Sequence, residues 1–255
     1  MFPIVHYYTN IIAYEQVPPL MALGGLFPDL AAGAGIARDE AHQMGTDFYR
    51  WCAAKAPGML PLARGIISHG AMPYGVDYYA DEYWPGGEKG WCFQQGKPWI
   101  ERITAVTRLP ERLGWWKSHN FVEMSYELLA VEQYPSIGAN IMAALMDHAL
   151  LKEAAAALSL YTAKDSEIII DVFRKAPHIF ALEEVSPQAL AIRQEAAFRR
   201  RHNIYDADTI GMATLLTEMK EALREGYGPY MAEMTKLVKE MLRENDARGA
   251  INDQL

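Results

Sequence analysis

With 255 residues, 51% of them hydrophobic, the chain is long enough to bury one large core or two small ones, and one domain is expected. Its formal net charge of −8 excludes a nonspecific binder of duplex nucleic acid, whose affinity comes from clustered Lys and Arg. The one compact basic run, Arg199-Arg200-Arg201, reads as a solvated helix face, and no stretch approaches the roughly 18 uninterrupted apolar residues of a membrane span.

Taken in chain order, the start from Met1 to Tyr8 lacks a basic region followed by an apolar stretch and a cleavage site, so a cytoplasmic protein is expected. Residues 36–55 carry Met44, Phe48, Trp51 and Cys52 on one stripe, with Arg38, Asp39 and Glu40 in the first turn, which predicts one amphipathic helix. Cys52 and Cys92 form neither a CxxC motif nor a disulfide framework, and redox chemistry is not indicated. Residues 73–98 interleave Pro and Gly with Tyr74, Tyr78, Tyr79, Tyr83, Trp84 and Trp91, and are expected to form a long functional or mobile loop. Pro110 suits the first turn of a helix running to about Gln133, where Tyr134-Pro135 interrupts it. Residues 136–163, 168–175, 187–202, 207–225 and 229–245 also read as helical. The expectation is an all-α, multi-helix bundle forming a single domain over 1–255. Its metal site would come from residues 6–123, and 124–255 would complete the bundle.

The chemistry-bearing residues are concentrated in the first half. His119 and Glu123 stand four apart in a predicted helix, so an imidazole and a carboxylate project from one face within reach of a single ion. Before them come His6 among Val5, Tyr7 and Tyr8, Asp29 after Phe27-Pro28, His42 off the apolar stripe, and His69 in Ser68-His69-Gly70 where the aromatic loop begins. Asp77 and Asp81 follow, with Glu82 beside them. Taken singly, each has a plainer reading: a core histidine, a helix cap, a solvated acid or a surface pair. Taken together they form the donor set that a divalent cation uses, imidazoles and carboxylates converging from several elements. His148, His178 and His202 lack such settings and read as structural.

The order of these residues resembles the zinc-dependent phospholipase C family and the related single-strand nucleases, an all-helical superfamily with a two- or three-metal site. The resemblance rests on His6, the segment Gly24-Gly25-Leu26-Phe27-Pro28-Asp29, His42, Ser68-His69 and His119-x3-Glu123, and covers residues 6–123. That family follows its third histidine with an aspartate one turn later and then another histidine, whereas Pro73 stands here and the next acids are Asp77 and Asp81. Its phospholipases also use a processed N-terminal amino group as a ligand, for which the Met1 start offers no equivalent.

The resemblance therefore implies two divalent metals rather than three, zinc first and manganese or iron as alternatives, with Asp77 or Asp81 replacing a missing ligand. Asp29 becomes a ligand or the general base, and the 73–98 loop a wall or lid. The implied activity is hydrolysis of a phosphoester, either a phosphodiester or a small or lipid-like phospholipid-type substrate. Two rival readings stay open. One is a helical di-iron protein, although no Glu-x-x-His motif occurs; the other is a non-enzymatic helical protein with a structural metal or none.

Overall fold

The computed structural model describes residues 3–14 and 17–252, with side chains described as far as residue 246. Thirteen α-helices and no strand occur among the described residues: α1 (Pro3–Ala13), α2 (Pro19–Leu30), α3 (Arg38–Gln43), α4 (Gly45–Lys55), α5 (Leu60–His69), α6 (Trp91–Gly96), α7 (Ile100–Thr107), α8 (Glu111–Gln133), α9 (Ile137–Met146), α10 (His148–Thr162), α11 (Ser166–Phe180), α12 (Pro187–His202) and α13 (Thr209–Asn252). Among these residues no helix is long and apolar enough to cross a membrane.

α8 is the axis. From Phe121 to Ala130 every residue is buried, so this helix is covered on all sides rather than amphipathic. α1, α6, α7 and α13 pack around it. Its Glu127 accepts a hydrogen bond from the Ile4 amide at 3.1 Å and pairs with Arg193 of α12 at 3.2 Å, which fixes the entry of α1 and the flank of α12 to the same carboxylate. Arg193 also donates to the Phe180 carbonyl at the end of α11 (2.9 Å).

α2 and α5 pack closely because glycines lie in their contact. A Cβ added at Gly24 would lie 2.0 Å from the Leu62 carbonyl oxygen, and one at Gly65 would lie 2.3 Å from that of Met21. Backbone therefore meets backbone, and side chains at the ends of these helices reach across the gap.

Four sequence expectations are corrected. The helix expected over 36–55 divides at Met44 into α3 and α4, where Gly45 packs so tightly on α5 that a Cβ would stand 2.9 Å from Ile67 Cγ1. The helical stretch over 136–163 divides at Asp147, whose carboxylate accepts from the amides of Ala149 and Leu150 and caps α10. The helices expected over 207–225 and 229–245 are one, α13, which passes through Pro229. Buried Tyr227, Tyr230 and Met231 hold that segment in line, and packing overrides the lost amide. The 73–98 loop is largely structured: Tyr78–Glu82 forms a π-helical turn, α6 follows, and Lys97–Trp99 is a 3-10 turn.

Candidate metal centre

His69, the last residue of α5, turns toward α2 across the glycine contact. Its Nδ1 lies 2.7 Å from the Gly25 carbonyl oxygen. A ring that donates from Nδ1 to a carbonyl carries its lone pair on Nε2, and this Nε2 faces Asp77 at 3.4 Å and Asp29 at 4.0 Å. His42 is held in the same way, with Nδ1 at 2.8 Å from the Arg38 carbonyl oxygen one turn back on α3. Its Nε2 faces Asp77 at 3.2 Å and Asp29 at 3.7 Å. His6, from α1, stacks on His69 with ring centroids 3.7 Å apart and brings its Nε2 to 3.4 Å from Asp77.

Asp77 reaches these rings because the chain doubles back after α5. The Gly75 amide donates to the Gly70 carbonyl at 3.0 Å, and a Cβ at Gly75 would stand within 2.6 Å of the carbonyl oxygens of both Gly70 and Ile67. Val76 and Ala80, both fully buried, anchor the following turn. Asp77 and Asp81, four apart on it, are delivered to two neighbouring groups. Asp81 joins His119 and Glu123 of α8, and ligand atoms of these three lie within 4.8 Å of one another.

Asp29, His42 and Asp77 of the first group and all three residues of the second line one cavity of about 360 Å³, together with Arg38, Lys117, Asn120, Phe93, Trp116 and Arg201. Asn120 joins the second group: its amide nitrogen lies 3.1 Å from His119 Nε2 and 3.2 Å from Glu123 Oε2. It thus offers hydrogens to two lone pairs that a cation would also use. Phe93 stacks on the His119 ring at 4.3 Å and fixes its plane.

The electrostatics of the protein alone are those of donor groups lacking a counter-charge. Burial, with the neighbouring His69, lowers His6 to about 3, and burial lowers His119 to about 4, so both rings are neutral at physiological pH. Burial opposes a charge on His42, but Asp29 and Asp77 outweigh it and raise the ring to about 9. Burial would raise Asp77, yet the imidazoles around it hold the carboxyl well below its usual range, and Asp29 is lowered likewise by His42 and His69. Burial and the adjacent Glu123 push Asp81 up to about 8, and burial raises Glu123.

These residues fit divalent cations. The Nε2 atoms of His42 and His69 are buried and make no hydrogen bond although carboxylates stand within 4 Å, and Asp81 Oδ1 is likewise buried without a partner. A lone pair pointing at a carboxylate is costly unless a proton, as on His42 here, or a metal cation lies between them. Because the Nδ1 atom of His69 is taken by Gly25, its single free nitrogen serves one ion only, whether with His6 and Asp29 or with His42 and Asp77.

All eight candidates, His6, Asp29, His42, His69, Asp77, Asp81, His119 and Glu123, lie in these two adjoining groups. Sequence reading left Asp77 and Asp81 as alternatives, whereas the fold places one in each group. Glu82 is the solvated acid, exposed and paired with Lys89 at 3.2 Å. The expectation about the Met1 amino group lies outside the described residues. Of the wall or lid expected from the 73–98 segment, the wall is what forms: its Asp77, Asp81, Glu82 and Phe93 line the cavity, with Trp116 and Phe180 as the other aromatic residues there, while Trp91 stacks on Tyr230 of α13 at 5.2 Å and Trp84 packs against both.

Sequence reading missed Arg38, Lys117, Asn120 and Arg201. The first could have been found, since it precedes His42 by one helical turn. Asn120 lies between the two paired ligands, but Arg201 comes from α12, and nothing local links it to the site. No protein-family model, no curated protein and no solved structure matches this chain.

Proposed function

We propose that this protein is a divalent-metal-dependent hydrolase of phosphoesters. The observation that supports this reading is the convergence, beside one cavity, of buried imidazole nitrogens without hydrogen-bond partners and four carboxylates, with basic side chains on the same wall. His6, Asp29, His42, His69 and Asp77 would hold one ion, and Asp81, His119 and Glu123 another. A mixed set of imidazoles and carboxylates suits zinc, with manganese or iron as alternatives. When bound, such ions polarise a phosphoryl oxygen and lower the pKa of water.

The remaining steps belong to the chain. Asp29 is the more open of the two acids that face His42 and His69, 24% exposed against 3% for Asp77, and it lines the cavity as a carboxylate. It is the group able to take a proton from an attacking water. Arg38, with its guanidinium 3.9 Å from Asp77, meets the charge that builds on the phosphoryl oxygens. Asn120 orients His119 and Glu123.

The test is hydrolysis of an aryl phosphoester by protein loaded with zinc or manganese, before and after chelation. Chelation is expected to abolish turnover and metal return to restore it. His119→Ala and Glu123→Ala are each expected to reduce bound metal and lower kcat by about a hundredfold or more while circular dichroism stays helical. Unchanged metal content in both variants would contradict the reading.

A further inference from the structure

The metal cavity has a neighbour. A groove of about 410 Å³ runs between the end of α11 and the face of α12, and it shares Lys117, Asn120, Ile179, Phe180 and Arg201 with the wall of the metal cavity. Beyond that shared wall Pro177, Ala189, Ile192, Ala197 and Phe198 supply its apolar lining, beside Glu183, Glu184 and Arg200. Ile192, among the residues that line the groove, is a large apolar side chain left 61% exposed.

The two chambers meet at basic side chains. Neither Lys117 nor Arg201 has a carboxylate within 4 Å among the described residues, although the chain is acidic overall and its other cavity arginine, Arg38, stands 3.9 Å from Asp77. Two basic side chains on the wall common to both cavities, with no carboxylate within 4 Å, make that junction a place for an anion.

The wall shared by the two chambers thus offers a second place for an anion beside the histidine–carboxylate cluster, and the groove beyond it offers apolar side chains.

Resting on the reading of the site as a metal-dependent phosphoesterase, we propose that its substrate is the diphosphate ester of an apolar alcohol. The terminal phosphoryl group lies at the histidine–carboxylate cluster, the inner one between Lys117 and Arg201, and the apolar body in the α11–α12 groove. Water attacks the terminal phosphorus, and the bond from that phosphorus to the bridging oxygen breaks. One water proton passes to Asp29 and the other stays on the orthophosphate. The bridging electron pair leaves with the alkyl monophosphate, and the charge growing on it is met by Lys117 and Arg201.

The experiment follows orthophosphate release from decyl diphosphate and from inorganic diphosphate, and nitrophenol release from bis(p-nitrophenyl) phosphate, with zinc content measured on the same samples. Decyl diphosphate is expected to exceed both other substrates in kcat/KM by about tenfold or more. Lys117→Met and Arg201→Met should each lose about tenfold more on decyl diphosphate than on the diester. Ala197→Trp, which fills the groove, should lose more on decyl diphosphate than on inorganic diphosphate. A diester turned over as well as decyl diphosphate, or basic-residue variants that lower all substrates equally, would overturn the proposal while leaving the phosphoesterase reading intact. Protein that holds no zinc and turns over none of the three would overturn both.

Discussion

At the scale of single residues, the centre depends on where protons sit. Without a cation, the folded chain keeps a proton on His42 up to about pH 9 and on Asp81 up to about pH 8, whereas the unfolded chain releases them near the usual 6.5 and 3.8. Between pH 6.5 and 8 the native state therefore binds more protons than the unfolded state, and stability falls as pH rises. His6 and His119, both lowered, are neutral when folded and shed their unfolded-state protons around pH 6.5, so they oppose the decline at the lower edge of that window and add little toward pH 8. Each titrating group contributes up to about 1.4 kcal/mol per pH unit. Urea unfolding of chelated protein should show this decline, and saturating zinc should remove it, since the ion replaces the protons. A flat profile with chelator would contradict the assignment of His42 and Asp81. A second residue-scale prediction concerns Asp77, which faces three imidazoles: Asp77→Asn should lower zinc affinity by about a hundredfold, as isothermal titration would show.

At the scale of elements, the site is held by two devices remote from the chemistry. The glycine contact between α2 and α5 lets His69 reach the Gly25 carbonyl and face Asp29. Gly65→Ala forces a methyl group to 2.3 Å from the Met21 carbonyl oxygen and should cost about 2–3 kcal/mol together with lost metal affinity. Gly58→Ala, where nothing lies within 4 Å, should cost almost nothing in the same unfolding assay. The other device is Glu127, which ties α1, α8 and α12 together. Glu127→Ala leaves the Arg193 guanidinium, only 8% exposed, without its carboxylate, and should destabilise the fold by about 3–5 kcal/mol in chemical denaturation.

These elements also show what could be read from the residues in advance. His119 and Glu123 were legible because helical spacing alone puts them on one face. Asp77 and Asp81 have the same spacing, but surrounding Pro, Gly and Tyr residues disguised a helical turn that buried Val76 and Ala80 hold in place. The break at Asp147 follows from a capping preference that composition conceals. The continuity of α13 through Pro229 was not legible, since it depends on packing of Tyr227 and Tyr230 against distant parts of the chain.

At the scale of the whole molecule, the second half does more than complete a bundle. α13 reaches back to the first half, where Asp246 accepts from Tyr49 at 2.6 Å and from Arg64 at 3.1 Å, bracing α4 and α5. α11 and α12 supply Ile179, Phe180 and Arg201 to the cavity wall. Four of the seven histidines, drawn from α1, α3, α5 and α8, come to one place only when all of these helices close around α8. The most direct measurement is the elemental content of the purified protein after incubation with zinc and removal of free ion. About two tightly held divalent ions per chain are predicted, with one lost in His119→Ala. Protein that retains no stoichiometric metal at neutral pH, while remaining folded, would contradict the metal centre.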